Sequence, residues 1–222
     1  MGALSQGVAE DDVAHILPVP SRADGRQTGC MLPGRIAENN QHDMSMPVKM
    51  DNQNEIFPLV DEDGRVIGSA TRGECHNGSK LLHPVVHLHV FNAAGDIYLQ
   101  KRPAWKDIQP GKWDTAVGGH IDDGEDIEAA LRREVREELG ITEFTAEFVD
   151  KYVFESQRER ELVYVHRCVY DGPIHPSTEE LDGGRFWTIE EIHEVIGKGV
   201  LTPNFESEYL AIIKPRIFAD HR

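Results

Sequence analysis

Three glutamates, Glu134, Glu137 and Glu138, stand at i, i+3 and i+4 in the segment EDIEAALRREVREELGI. On a helix that spacing puts them on one face. Three neighbouring carboxylates repel one another. A hard divalent cation removes that cost: Mg²⁺, or Mn²⁺ in its place, takes oxygen ligands and bridges to substrate phosphates. Glu125 lies on the approach to the same face, and Arg133 can hold a carboxylate with its planar fork. Gly118 and Gly119, just upstream, permit a tight strand-to-helix connection and close backbone approach. Taken alone, such a triplet also fits a solvated acidic helix face.

These residues need a scaffold, and the flanking patterns predict one. Residues 125–139 read as a helix, with acidic residues in the first turn and Gly140 as the end signal. Leu131, Val135 and Leu139 supply its apolar stripe. FPLV-DEDG-RVIGSA and VVHLHVFN-AAGD-IYLQKR read as two hairpins. In the second, Val86, Leu88 and Val90 alternate with His87, His89 and Phe91. WDTAVGGHI reads as a short strand, and residues 144–155 and 161–170 as two more. TIEEIHEVI predicts a helix with a Thr188/Glu191 capping box, and NFESEYLAIIKPRIF a last helix that Pro215 kinks or ends. The sum is an α/β domain of α+β character with a mixed sheet, over residues 53–222.

Composition narrows the partners. The 222-residue chain carries a net charge of −16, a surface that repels nucleic-acid backbones and anionic membranes. Neither nucleic acid nor membrane is an expected partner; if the partner is a small phosphorylated molecule, local cations must bring it in, and the sequence leaves a homodimer open. Cys30, Cys75 and Cys168 form no pair pattern, which implies a reducing, cytoplasmic setting. Residues 1–52 read as a disordered leader: every aromatic lies beyond them, the first being Phe57. Lys101, Arg102, Lys106 and Lys112 form a local basic group, and the first two are candidate substrate-binding residues with Gly118 and Gly119. Trp105 and Trp113 could stack a base or fill a core.

The full spacing resembles the Nudix box of diphosphate hydrolases, G-x5-E-x7-R-E-U-x-E-E-x-G-U with U aliphatic. Here it reads Gly119, Glu125, Arg133, Glu134, Val135, Glu137, Glu138, Gly140 and Ile141, with no departure. The resemblance implies a Nudix-type α/β/α sandwich. It also implies Mg²⁺-dependent hydrolysis of a phosphoanhydride in a nucleoside-diphosphate-linked or related diphosphate substrate. It assigns the metal to Glu134, Glu137 and Glu138, with help from Glu125.

A longer stretch, roughly residues 57–215, is similar to the isopentenyl-diphosphate isomerase branch of that superfamily. That resemblance implies a second divalent metal on His76, His83, His120, Glu159 and Glu161. Three imidazoles and two carboxylates suit Mn²⁺, Zn²⁺ or Fe²⁺. Without the metal, the same residues are hydrogen-bonded histidines and a solvated charge run. The isomerase pattern has a cysteine where this chain has Gly118, which carries no side chain to transfer a proton. Cys75, beside His76, is the one nearby thiol in the sequence. The alternatives to hydrolysis are isomerase-like activity and a Nudix-fold binding or regulatory module.

Overall fold

The computed structural model describes residues 51–106 and 108–217. The expected leader therefore lies outside the described residues, save Asp51 and Asn52. Asp51 lies 3.2 Å from Lys106 Nζ. No described helix is long and apolar enough to cross a membrane.

Among the described residues, nine strands and a few helices follow in chain order. A hairpin of β1 (Ile56–Val60) and β2 (Val66–Thr71) stands apart as a two-stranded sheet. Next come the one-turn α1 (Arg72–Cys75), β3 (Leu82–Phe91), β4 (Ile97–Lys101), β5 (Trp113–Asp114) and β6 (Val117–His120). The helix α2 (Ile127–Leu139) leads to β7 (Glu147–Glu155), β8 (Arg160–Val169), β9 (Gly184–Trp187) and α3 (Ile189–Val195). The described residues end in α4 (Pro203–Glu208), a π turn (Tyr209–Ile213) and α5 (Lys214–Ile217). The π turn widens the helix just before Pro215, whose ring would otherwise meet the carbonyl four residues back. It is the form the expected kink takes.

The main sheet is mixed: β3 pairs in parallel with β8 and antiparallel with β4 and β6. One edge of β3 changes partner along its length. Val85–Leu88 pair with β6, and Val90–Phe91 pair with β4. Beyond that point β3 and β4 diverge, and the chain from Trp113 to His120 fills the gap. It pairs first with β4, as β5, and then with β3, as β6. The gap is where the candidate site lies.

Both sheet faces are covered. Val86, Leu88 and Val90 pack with Leu131, Val135 and Leu139 of α2. Val85, Val163 and Val165 pack with Ile192, Phe205 and Tyr209 of α3, α4 and the π turn. That is the expected α/β/α sandwich. It also changes the meaning of the alternation in β3: His87 and His89 lie on a covered face of the sheet, both buried, with His87 at the edge of the crevice.

Candidate active site

Helix α2 has a conventional start and stop. The Asp126 side chain accepts from Ala129 N–H, and Gly140 closes the helix in the left-handed conformation. Its inner stripe anchors it on the sheet and swings Glu134 and Glu138 against β6. Glu134 fits only because residue 119 is glycine: a Cβ there would lie 2.0 Å from the Glu134 carboxyl carbon. Glu138 Oε2 accepts from Gly118 N–H at 3.4 Å and lies 3.5 Å from Gln100 Nε2. Glu137 is half exposed at the rim.

Arg133 does what its fork suggests. It donates twice to Glu125, at 3.0 and 2.8 Å, and once to Glu134, at 2.7 Å. Its remaining bond goes to the His120 carbonyl, at 2.9 Å. Glu125 is thus engaged by the arginine, which holds its carboxyl below the usual range. It braces the box from behind. Burial pushes Glu134 up to about 7 against the pull of Arg133. Glu138 is pushed well above the ordinary carboxylate range by desolvation and by Glu134. Two desolvated carboxylates with raised proton affinity are what a hard cation would relieve.

Across the sheet edge lies the second cluster. One ligand atom each from His76, His83, His120 and Glu161 all fall within 4.8 Å of one another. Glu159 Oε2 is 3.6 Å from His76 Nε2. All five residues that the resemblance singled out are therefore brought together, from α1's end, β3, β6, β8 and, for Glu159, the residue just before β8. His83 is bonded through Nδ1 to the Leu81 carbonyl, 3.0 Å away. Its Nε2 is buried and has no hydrogen-bond partner. A carbonyl accepts only, so the proton sits on Nδ1 and a lone pair on Nε2 faces the cluster. Burial lowers His76 to about 3 and His120 well below its ordinary value. Burial also raises Glu159 and Glu161. Neutral imidazoles with an orphaned buried nitrogen among carboxylates fit a divalent metal of borderline softness. Phe57 sets the ring planes, stacking on His120 at 4.1 Å and on His83 at 5.6 Å.

Both clusters open into one crevice of about 970 Å³. Of the basic group, Arg102 and Lys106 line it. Arg102 is held by Asp114 at 3.0 Å, and Lys106 by Asp51 and Glu180 at 3.2 and 3.3 Å. Lys101 does not contribute: strand parity sends Gln100 and Arg102 into the crevice and Lys101 to the other side, over the Trp113 ring. Trp113 stands edge-on to Trp187 in the core, while Trp105 lines the crevice. Cys75 is fully buried, and burial pushes its thiol up to about 11. Crevice residues not singled out from the sequence include Gln100, Asp114, Thr115 and His87. Parity in β4 would have found Gln100; the others depend on tertiary pairing.

A model of the NUDIX domain matches residues 81–205. An uncharacterized Nudix hydrolase of Pseudomonas aeruginosa is 33% identical over 132 residues, which is 60% of this chain and 78% of that protein. An isopentenyl-diphosphate Delta-isomerase of Clavibacter sepedonicus is 30% identical over 178 residues, 78% of this chain and 92% of the isomerase. A crystal structure of a Deinococcus radiodurans protein superposes with a TM-score of 0.58 at 25% identity, over 67% of this chain and 92% of that one. With the domain match spanning more than half of its length, the chain belongs to the Nudix family.

Proposed function

We propose that the chain is a metal-dependent hydrolase that cleaves a phosphoanhydride in a small diphosphate substrate, such as a nucleoside diphosphate linked to another group. The observation that carries the reading is the seating of Glu134 and Glu138 against Gly118–Gly119 at the crevice, braced by Arg133. Glu134, Glu138 and the rim residue Glu137 would hold Mg²⁺ or Mn²⁺. Such an ion, when bound, neutralises phosphoryl charge and lowers the pKa of bound water. Arg133 fixes Glu134 and, through Glu125, the approach to the helix. A carboxylate of a later loop that lines the crevice, such as Glu179, accepts the proton of the attacking water. His76, His83, His120, Glu159 and Glu161 would hold a second divalent ion. Arg102 supplies positive charge to the crevice, and the two glycines let substrate approach the backbone.

The convergence of the five His/Glu residues favours one rival reading, an isopentenyl-diphosphate isomerase-like activity. Gly118 weighs against it, since no side chain is there to move a proton. A single experiment separates the readings. The full chain is incubated with Mg²⁺ and nucleotide sugars, dinucleotides, nucleoside triphosphates, coenzyme A and isopentenyl diphosphate, and products are resolved by chromatography. Metal-dependent cleavage of one class, lost in Glu138→Gln, is expected. Solvent deuterium entering isopentenyl diphosphate without phosphate release would install the isomerase reading instead. Saturable binding with no turnover would make the chain a binding module.

A further inference from the structure

A second polar unit borders the crevice, and the hydrolytic roles above leave it unused. His87 and His89 lie two apart on β3 and share a face. Glu208, only 1% exposed, reaches both from α4. Its Oε2 is 2.9 Å from His87 Nδ1, and its Oε1 is bonded to His89 Nε2. Tyr152 Oη lies 2.7 Å from the same Oε2. A carboxylate surrounded in this way is an acceptor from every side, so both imidazoles donate to it. The proton on His87 Nδ1 fixes the ring, and the opposite edge is left to do something else.

That edge faces the crevice at Gly118. A Cβ added at Gly118 would lie 3.6 Å from both Cδ2 and Nε2 of His87 and 3.6 Å from Thr115 Cγ2. All three are ordinary contact distances, so an atom of substrate fits in the same space. The groups around His87 are Glu208 and Tyr152 behind it, His89 beside it, and Glu161 and Asp114 within electrostatic reach. Asp114 is occupied by Arg102 at 3.0 Å and by Thr202 at 2.7 Å. Glu161 belongs to the histidine cluster.

We propose that His87, held by Glu208, binds an anionic phosphoryl oxygen of a diphosphate ligand in the space beside Gly118. The inference rests on the reading of the crevice as a diphosphate site and adds to it a residue outside the box. Burial works against a charged ring, but Glu208 overrides it and lifts His87 to about 9. At neutral pH Nε2 therefore carries a proton, and its bond to an oxyanion is charge-assisted. Glu208 is a positioning residue: it sets the ring's tautomer and plane.

The test is equilibrium binding of methylenediphosphonate, whose P–C–P bridge cannot be hydrolysed, to the full chain with Mg²⁺ at pH 7. His87→Gln should bind it on the order of ten-fold more weakly or worse, the worth of a charge-assisted hydrogen bond. Gly118→Val should also bind more weakly, because its branch fills the ligand space while its first carbon makes only ordinary contacts. In the wild type, the His87 Nε2 resonance should shift on titration. If wild type binds and both variants match it within two-fold, the His87 assignment falls and the hydrolase reading stands. If wild type shows no saturable binding, the diphosphate reading of the crevice falls with it.

Discussion

The sharpest test of the box geometry is a single methyl group. Gly119→Ala would place a Cβ 2.0, 2.3 and 2.4 Å from Cδ, Cγ and Oε1 of Glu134. Carbon atoms rest at about 3.5–4.0 Å, so the carboxylate must withdraw by about 1.5 Å. The clashing atoms belong to a side chain and not to backbone, so the shift falls on Glu134 itself. Its side chain is only 14% exposed, and Arg133 grips it at 2.7 Å. The substitution should therefore spare the fold and displace the ligand group. Misplacement of about 1 Å can cost a hundred-fold in rate. The assay is initial rate against Mg²⁺ concentration, on whichever substrate the wild type cleaves. The expected result is a half-activating Mg²⁺ concentration raised at least ten-fold, a lower kcat, and a thermal midpoint within a few degrees of wild type. Gly118→Ala is the internal comparison: its methyl meets only 3.6 Å contacts, so it should leave the Mg²⁺ midpoint in place even though it crowds the substrate. A Gly119→Ala enzyme with wild-type Mg²⁺ dependence would refute the assignment of Glu134 as a metal ligand.

Three further outcomes follow from the same physics. Glu138→Gln keeps an acceptor for Gly118 N–H but removes a desolvated charge; turnover should drop at least tens-fold, while the metal-free variant melts higher than metal-free wild type at pH 8. A calorimetric scan without metal that shows the variant melting lower would contradict the burial cost at this position. The raised Glu134 and Glu138 carboxyls bind protons more tightly folded than unfolded, so without metal their ionisation subtracts stability as pH rises from about 4.5 through 7. Metal offsets that loss, and the gain in melting temperature from Mg²⁺ should grow between pH 5.5 and pH 8; a gain that shrinks over that range would speak against these carboxylates as the metal site. Phe57→Ala removes the ring stacked on His120 and His83; it should cost about 3–5 kcal/mol by cavity formation and lower the metal content of protein refolded with Mn²⁺ or Zn²⁺. Unchanged metal content in a folded Phe57→Ala protein would leave the ring a packing role only.

What was legible in the sequence was local. Helix α2 carries its own cap, stripe and stop within about fifteen residues, and the box residues Glu134, Glu137 and Glu138 sit inside it, so spacing alone placed Glu134 and Glu138 on one face. The hairpins announced themselves by their Asp-Gly and Gly-Asp turns. The histidine cluster is different. His76, His83, His120 and Glu161 come from three strands and a helix end, and no spacing rule joins them; only the likeness to a known pattern did. Glu208 lies 121 residues from His87, beyond any sequence signal. The alternation in β3 showed a histidine face, yet could not say that α4 would cover it. Lys101 is the opposite lesson. Its charge suggested a phosphate partner, but β-strand parity had already sent it away from the crevice that takes its neighbours Gln100 and Arg102.

The pair Gly118–Gly119 explains why one crevice serves both clusters. Successive residues of a strand project to opposite faces. Position 119 points toward α2, and leaving it bare lets Glu134 sit against the backbone of β6. Position 118 points the other way, toward His87 and the face that carries His83 and His120. Because β3 and β4 diverge here, β6 has no full strand beside it on its outer edge, and two bare residues in succession clear space on both faces at once. A ligand lying along this stretch meets the box carboxylates from one side and the imidazoles from the other. A side chain at either position would shut one of the two sides. The order of the glycines therefore has a testable asymmetry: filling 119 should act on the metal, and filling 118 on the anion. A substitution at 118 that moved the Mg²⁺ midpoint while leaving diphosphonate affinity alone would reverse that division and overturn this account of the crevice.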